Sequence, residues 1–122
     1  MAIVTPDNPI MTARALVLHD LEVTGVADAD AVSLLEDAVA QRAWWLEQWP
    51  AGQDFIVGLV AQDVQDGLLE RAGRWPVCPT CEDATHALYV EPDLGGPNPT
   101  WVCEEAGIEI APIGRLSGGA PA

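Results

Sequence analysis

The stretch "CPTCEDATHALYVE" occupies residues 78–91, and its reading decides the fold. Two thiols, Cys78 and Cys81, are followed by an imidazole at His86, and the chain's remaining cysteine is Cys103. Beyond His86 the apolar residues recur with a period of two, in "HALYVE", in "TWVC" (100–103) and in "GIEIAPIG" (107–114). A period of two marks strands whose alternate side chains face one side. The proline- and glycine-rich "PDLGGPNP" (92–99) reads as the loop between the first two, and "SGGAPA" (117–122) as a flexible tail.

Three readings compete for these side chains: a metal site, a redox pair, or thiols packed in a core. A redox Cys-x-x-Cys sits at the start of a helix, whose N-terminus lowers a thiol pKa; here strands follow. Three cysteines, an odd number, fit metal ligation in a reducing compartment better than a disulfide framework. Core size argues the same way. Leu88, Tyr89, Val90, Trp101, Val102, Ile108, Ile110 and Ile113 are too few to order some 40 residues alone, whereas a structural zinc contributes on the order of 10 kcal/mol in small modules. A single Zn²⁺ is therefore the cofactor expected.

The segment from Trp75 to about Leu116 resembles a zinc-ribbon module, in which two Cys-x-x-Cys knuckles grip one Zn²⁺ from adjacent hairpins. The first knuckle is Cys78-Pro79-Thr80-Cys81. The second keeps Cys103 and Gly107 but has Ala106 in the fourth thiolate's place. The resemblance implies a fold and a metal, and no activity. His86 is the best candidate to complete a Cys3His set, with Asp83, Glu104 and Glu105 as carboxylate competitors. Two other zinc patterns do not fit. A retroviral-type knuckle would need its last ligand at position 91, which is Glu91, and a zinc deaminase needs His-x-Glu, whereas His19 is followed by Asp20 and Leu21.

The first 74 residues read as helical. Residues 1–11, with Pro6 and Pro9, suggest an irregular arm; Thr12 to Gly25 suggests a helix with those two residues as cap and stop. "DADAVSLLEDAVAQRAWWLEQWP" (28–50) is the clearest element. Val32, Leu35, Ala38, Val39, Ala43, Trp45, Leu46 and Trp49 share one side, while Ser33, Glu36, Asp37, Gln41, Glu47 and Gln48 share the other. A further helix from about Asp54 to Arg71 carries a stripe of Val57, Val60, Ala61, Val64 and Leu68. The short "PAGQ" connection predicts an antiparallel hairpin. Trp45, Trp49, Trp75 and Trp101 are expected where this hairpin meets the strands. Trp44 falls on the polar side, where it either docks beneath the strands or marks a partner surface.

Charge bounds the function. Nineteen acids face five bases, all arginine, for a net charge of −14. Such a chain repels phosphate backbones and anionic membrane surfaces, so no direct nucleic-acid or membrane partner is expected. No triad motif and no phosphate-binding loop is present.

The expectation is an α+β protein. It has a helical portion of two to three helices (12–74) and a three-stranded zinc-ribbon-like module (75–116), with Cys78, Cys81, His86 and Cys103 as ligands. The leading function is a non-enzymatic, zinc-stabilised interaction or assembly component meeting a protein partner through Trp44, Asp37 and Glu47. The rival is a zinc metalloenzyme with three thiolates and an open fourth position; a third reading is an acidic mimic of nucleic acid. Without a basic, apolar leader the chain is expected in a bacterial cytoplasm. Its lysine-free composition would equally suit a component of a phage-like or viral particle.

Overall fold

The computed structural model describes residues 8–71, 73–79, 81, 86–91 and 98–117. Residues 1–7 of the expected arm, Asp83, most of the 92–99 loop and residues 118–122 of the expected tail lie outside these. Three helices are followed by an antiparallel sheet: α1 (Pro9–Val23), α2 (Ala29–Gln48), a 3₁₀ turn (Pro50–Phe55), α3 (Ile56–Arg71), β1 (Tyr89–Glu91), β2 (Thr100–Cys103) and β3 (Ile108–Pro112), in sheet order β1-β2-β3. The class is α+β.

Helix α1 begins earlier than Thr12 because Asn8 and Pro9 supply a better start. The Asn8 carboxamide oxygen accepts from the Ile10 and Met11 amides at 3.1 and 3.2 Å, and Pro9 takes the position where no amide hydrogen is missed. Its other end closes on Gly25 at φ 79°, with Val26 N–H bonded to the Leu21 carbonyl and Gly25 N–H to that of Glu22. Asp28 caps α2 by accepting from the Ala31 amide at 2.9 Å.

Helices α2 and α3 run antiparallel, as three cross-pairs show. Asp30 meets Arg71, the Leu34 side chain packs on Gly67, and Arg42 meets Asp63. A β-carbon on Gly67 would stand 2.8 Å from Leu34 Cδ2, so the glycine that weakens α3 on its own permits the helices to approach. Leu35, Ala38, Val60, Ala61, Val64 and Leu68 are buried between the helices, joined by Ala13, Val17 and Leu21 of α1.

The sheet does not stand apart. Leu88, Val90, Trp101 and Ile113 belong to the same buried cluster as the helix residues. Asp20, fully buried in α1, is the polar clamp: Oδ2 accepts from Trp101 Nε1 at 2.8 Å and from the Gly114 amide at 2.7 Å, and Oδ1 from the Leu116 amide at 3.1 Å. Trp75 donates its indole N–H to Thr24 Oγ1 at 2.9 Å and meets Trp101 edge-on at 5.5 Å. From α3, Gln65 donates to the carbonyls of Trp75 and Leu88 at 3.0 and 2.8 Å.

Two tryptophan expectations are corrected. Trp75 and Trp101 lie at the helix–sheet seam, but Trp45 and Trp49 lie at the opposite end of α3. There Trp49 meets Trp45 edge-on at 5.2 Å and stacks on Phe55 at 5.8 Å, over the buried Gly52. The strands follow the C-terminal end of α3 while these rings cap its beginning, some 20 Å away at about 1.5 Å per residue. Trp44 is not docked beneath the sheet; it is 64% exposed. Among the described residues, no helix is long and apolar enough to cross a membrane.

Candidate metal centre

The first hairpin brings Cys78 and His86 opposite one another. Cys78 N–H bonds to the His86 carbonyl at 3.0 Å, Leu88 N–H to the Pro76 carbonyl at 2.8 Å, and Val77 pairs with Ala87 between them. Cys81 lies in the connection that this hairpin closes. Cys103 ends β2, where Val102 and Cys103 pair with Glu109 and Ile108 of β3. The turn after it folds back on itself: Gly107, at φ 69°, donates its amide to the Cys103 carbonyl at 2.9 Å. Within that turn the Ala106 amide points at Cys103 Sγ from 3.4 Å, so the residue in the missing thiolate's place supports a ligand through its backbone.

The potential ligand atoms of Cys78, Cys81, His86 and Cys103 all lie within 4.8 Å of one another. Cys81 and Cys103 Sγ are 3.6 Å apart, and Cys103 Sγ is 3.5 Å from His86 Nε2. A tetrahedral zinc with bonds of about 2.3 Å to sulfur and about 2.0 Å to nitrogen requires separations of roughly 3.8 and 3.5 Å. The group is therefore spaced to hold one metal ion. Cys78 and Cys103 are buried and Cys81 and His86 half-buried. All four expected ligands converge.

Electrostatics fits the same chemistry. The Cys81 thiol is pushed up to about 12, chiefly by its hydrogen bond with Cys103 and then by that with Cys78. Thiols crowded this closely resist ionising together until a cation is placed among them. The His86 imidazole is pulled up from its ordinary value, foremost by its bond to Cys103; burial opposes this, and Cys78 and the Glu105 carboxylate add to it. Glu105 Oε2 lies 3.7 Å from His86 Nδ1, on the ring's far side from Cys103. The competitor carboxylate thus stands behind the histidine, within ion-pair range of its ring.

Asp37, Trp44 and Glu47 are exposed on the outer side of α2. Trp44 borders a shallow hollow of about 520 Å³ with Ala40, Gln41, Arg42 and Trp45, and Arg42 holds Asp63 at 2.7 Å while lying 5.6 Å from the Trp45 ring centre. His19, without a catalytic partner in sequence, bonds through Nε2 to the Leu116 carbonyl at 3.3 Å. The residue that sequence reasoning missed is Asp20. Its signal was available: an acid on the face of α1 that also carries Ala13, Val17 and Leu21.

The chain belongs to the family described as "Domain of unknown function (DUF8819)", whose model matches residues 6–113. The matched span contains all three helices, the sheet and the four clustered side chains. No curated protein and no solved structure matches the chain.

Proposed function

We propose that this protein is a zinc-stabilised, non-enzymatic interaction or assembly component. A zinc-ribbon-like centre of Cys78, Cys81, His86 and Cys103 fastens its sheet, and the acidic outer face of α2 around Trp44, Asp37 and Glu47 meets a protein partner. The observation that carries this reading is the position of His86 Nε2, 3.5 Å from Cys103 Sγ. A fourth protein ligand there completes a structural tetrahedron, whereas a catalytic zinc keeps one position for water or substrate. That arrangement favours structure over the metalloenzyme alternative. An exposed tryptophan on a helix face that also carries Asp37 and Glu47 supports a protein partner with a basic, apolar-lined surface. The net charge of −14 sets it against nucleic acid and anionic membranes, in a bacterial cytoplasm or a phage-like or viral particle.

Two measurements test this. Purified protein should carry one equivalent of zinc, lost in Cys78→Ser and Cys103→Ser; less than half an equivalent, with all thiols freely titratable, contradicts the centre. Affinity purification from source cells should return a partner that Trp44→Ala and the double variant Asp37→Lys/Glu47→Lys release. Recovery of the protein alone and monomeric contradicts the interaction role.

A further inference from the structure

A groove of about 660 Å³ runs along the seam between the C-terminal end of α1 and the sheet, remote from the acidic face of α2. Its apolar floor includes Trp75, Pro76, Ile110 and Leu116, and its rim carries Arg74 and Arg115. The charge distribution is uneven in a way that points to a ligand. Of five guanidinium groups, Arg14 meets Glu36 at 2.6 Å, Arg42 meets Asp63 at 2.7 Å and Arg71 meets Asp30 at 3.9 Å. Arg74 and Arg115 make no such pair among the described residues, in a chain with nineteen acids, and both border this groove. Glu22 is the one acid on the rim among the described residues, against two arginines, on a strongly negative molecule. Beside it, β3 is an edge strand with a neighbour only in β2 among the described residues.

We infer that this groove binds an extended segment of a partner protein in which a carboxylate side chain is flanked by apolar ones. Acidic side chains of the segment meet Arg74 and Arg115 on the rim, and an apolar neighbour rests on Trp75, Pro76 and Leu116. Two guanidiniums bordering an apolar floor complement an acidic, apolar segment and disfavour basic ones. The volume lies within the roughly 300–1,000 Å³ of ligand sites. An open trough beside an edge strand favours an extended chain over a free acid, because main-chain bonds to β3 can add to the side-chain contacts. This surface is distinct from the α2 face and does not depend on the metal reading.

The experiment selects random displayed octapeptides on the purified 122-residue protein, then measures synthetic versions by fluorescence anisotropy. Expected are peptides with Asp or Glu beside Leu, Ile, Val or Phe, whose affinity falls at least about tenfold in Arg74→Glu and in Arg115→Glu and weakens with salt. Arg74→Gln and Arg115→Gln should weaken binding less. Arg71→Gln should leave it unchanged. Far- and near-ultraviolet circular dichroism and zinc content identify variants that fold as wild type, and the glutamine variants serve where charge reversal does not. The inference is overturned by selection without an acidic–apolar consensus, or by equal binding to the arginine variants. Competition by free glutamate as strong as that by peptide, or a groove occupied by a second copy so that Arg115→Gln abolishes self-association instead, overturns it also. Failure here would leave the zinc equivalents and the α2 contacts untouched, so the two readings fail separately.

Discussion

At the scale of single residues, the decisive groups are His86 and Asp20, and each acts through its partners' geometry. In the metal-free chain Cys81 and His86 both hold protons at mildly acidic pH, because neighbouring sulfurs push the thiol to about 12 and pull the imidazole above its ordinary 6.5. A protonated His86 favours the metal-free fold below pH of about 6.5, and that contribution is lost as pH rises through the raised value. A zinc ion bound here would displace protons from the thiols as well as from His86, so its affinity should rise between pH 5.5 and 6.5 by up to roughly tenfold for each proton released. Competition with a chromophoric chelator at both pH values checks this; an affinity that does not change with pH speaks against the assigned ligands. Asp20 makes a separate prediction. Its two oxygens accept three N–H donors, so an amide at this position must turn its own NH₂ toward at least one of them. Asp20→Asn should therefore cost roughly 2–4 kcal/mol in denaturant unfolding; a loss below about 0.5 kcal/mol would remove the clamp from the account. The four clustered side chains were legible in the sequence because spacing and chemistry both select them. Asp20 was passed over because its donors come from positions 101, 114 and 116, far along the chain.

At the scale of elements, each junction turns on a close approach. Gly114 sits at φ 93°, and a β-carbon there would stand 2.8 Å from Leu16 Cβ, at the contact between β3's end and α1. Gly114→Ala should lower stability by roughly 2–3 kcal/mol, combining an unfavourable backbone region with overpacking against a helix. A fall in Tm on the order of 5–10 °C would register it, and an unchanged Tm would show that this seam does not hold the two parts together. Helices α2 and α3 were readable from their stripes, since apolar periodicity and caps agree along both. The start of α1 was misplaced by three or four residues because Thr12 and Asn8 are both competent caps and only Pro9 tips the balance. The tryptophans were misassigned because hydrophobic spacing fixes which side of α2 faces inward, and does not fix which end of α3 receives the sheet.

At the scale of the whole molecule, the helices and the sheet share one continuous core, and on the proposed reading a metal ion in the Cys3His group fastens the sheet's end of it. The helical side holds itself through wide apolar stripes and the Arg42–Asp63 and Arg14–Glu36 pairs. The sheet has strands of three to five residues, and its supports include the Asp20 clamp, the Gln65 bonds to the carbonyls of Trp75 and Leu88, the Trp75–Trp101 contact and the Cys3His cluster. This division makes the metal's contribution regional, and hydrogen exchange resolves it most directly. Zinc-loaded and chelator-treated protein should be compared residue by residue. Removal of the metal is predicted to accelerate exchange at the amides of Cys78, Leu88, Ala106 and Gly107 and through β2 and β3 by at least about 100-fold, while the centres of α2 and α3 stay protected. Identical protection of the strands with and without metal would contradict the claim that one bound cation secures this sheet.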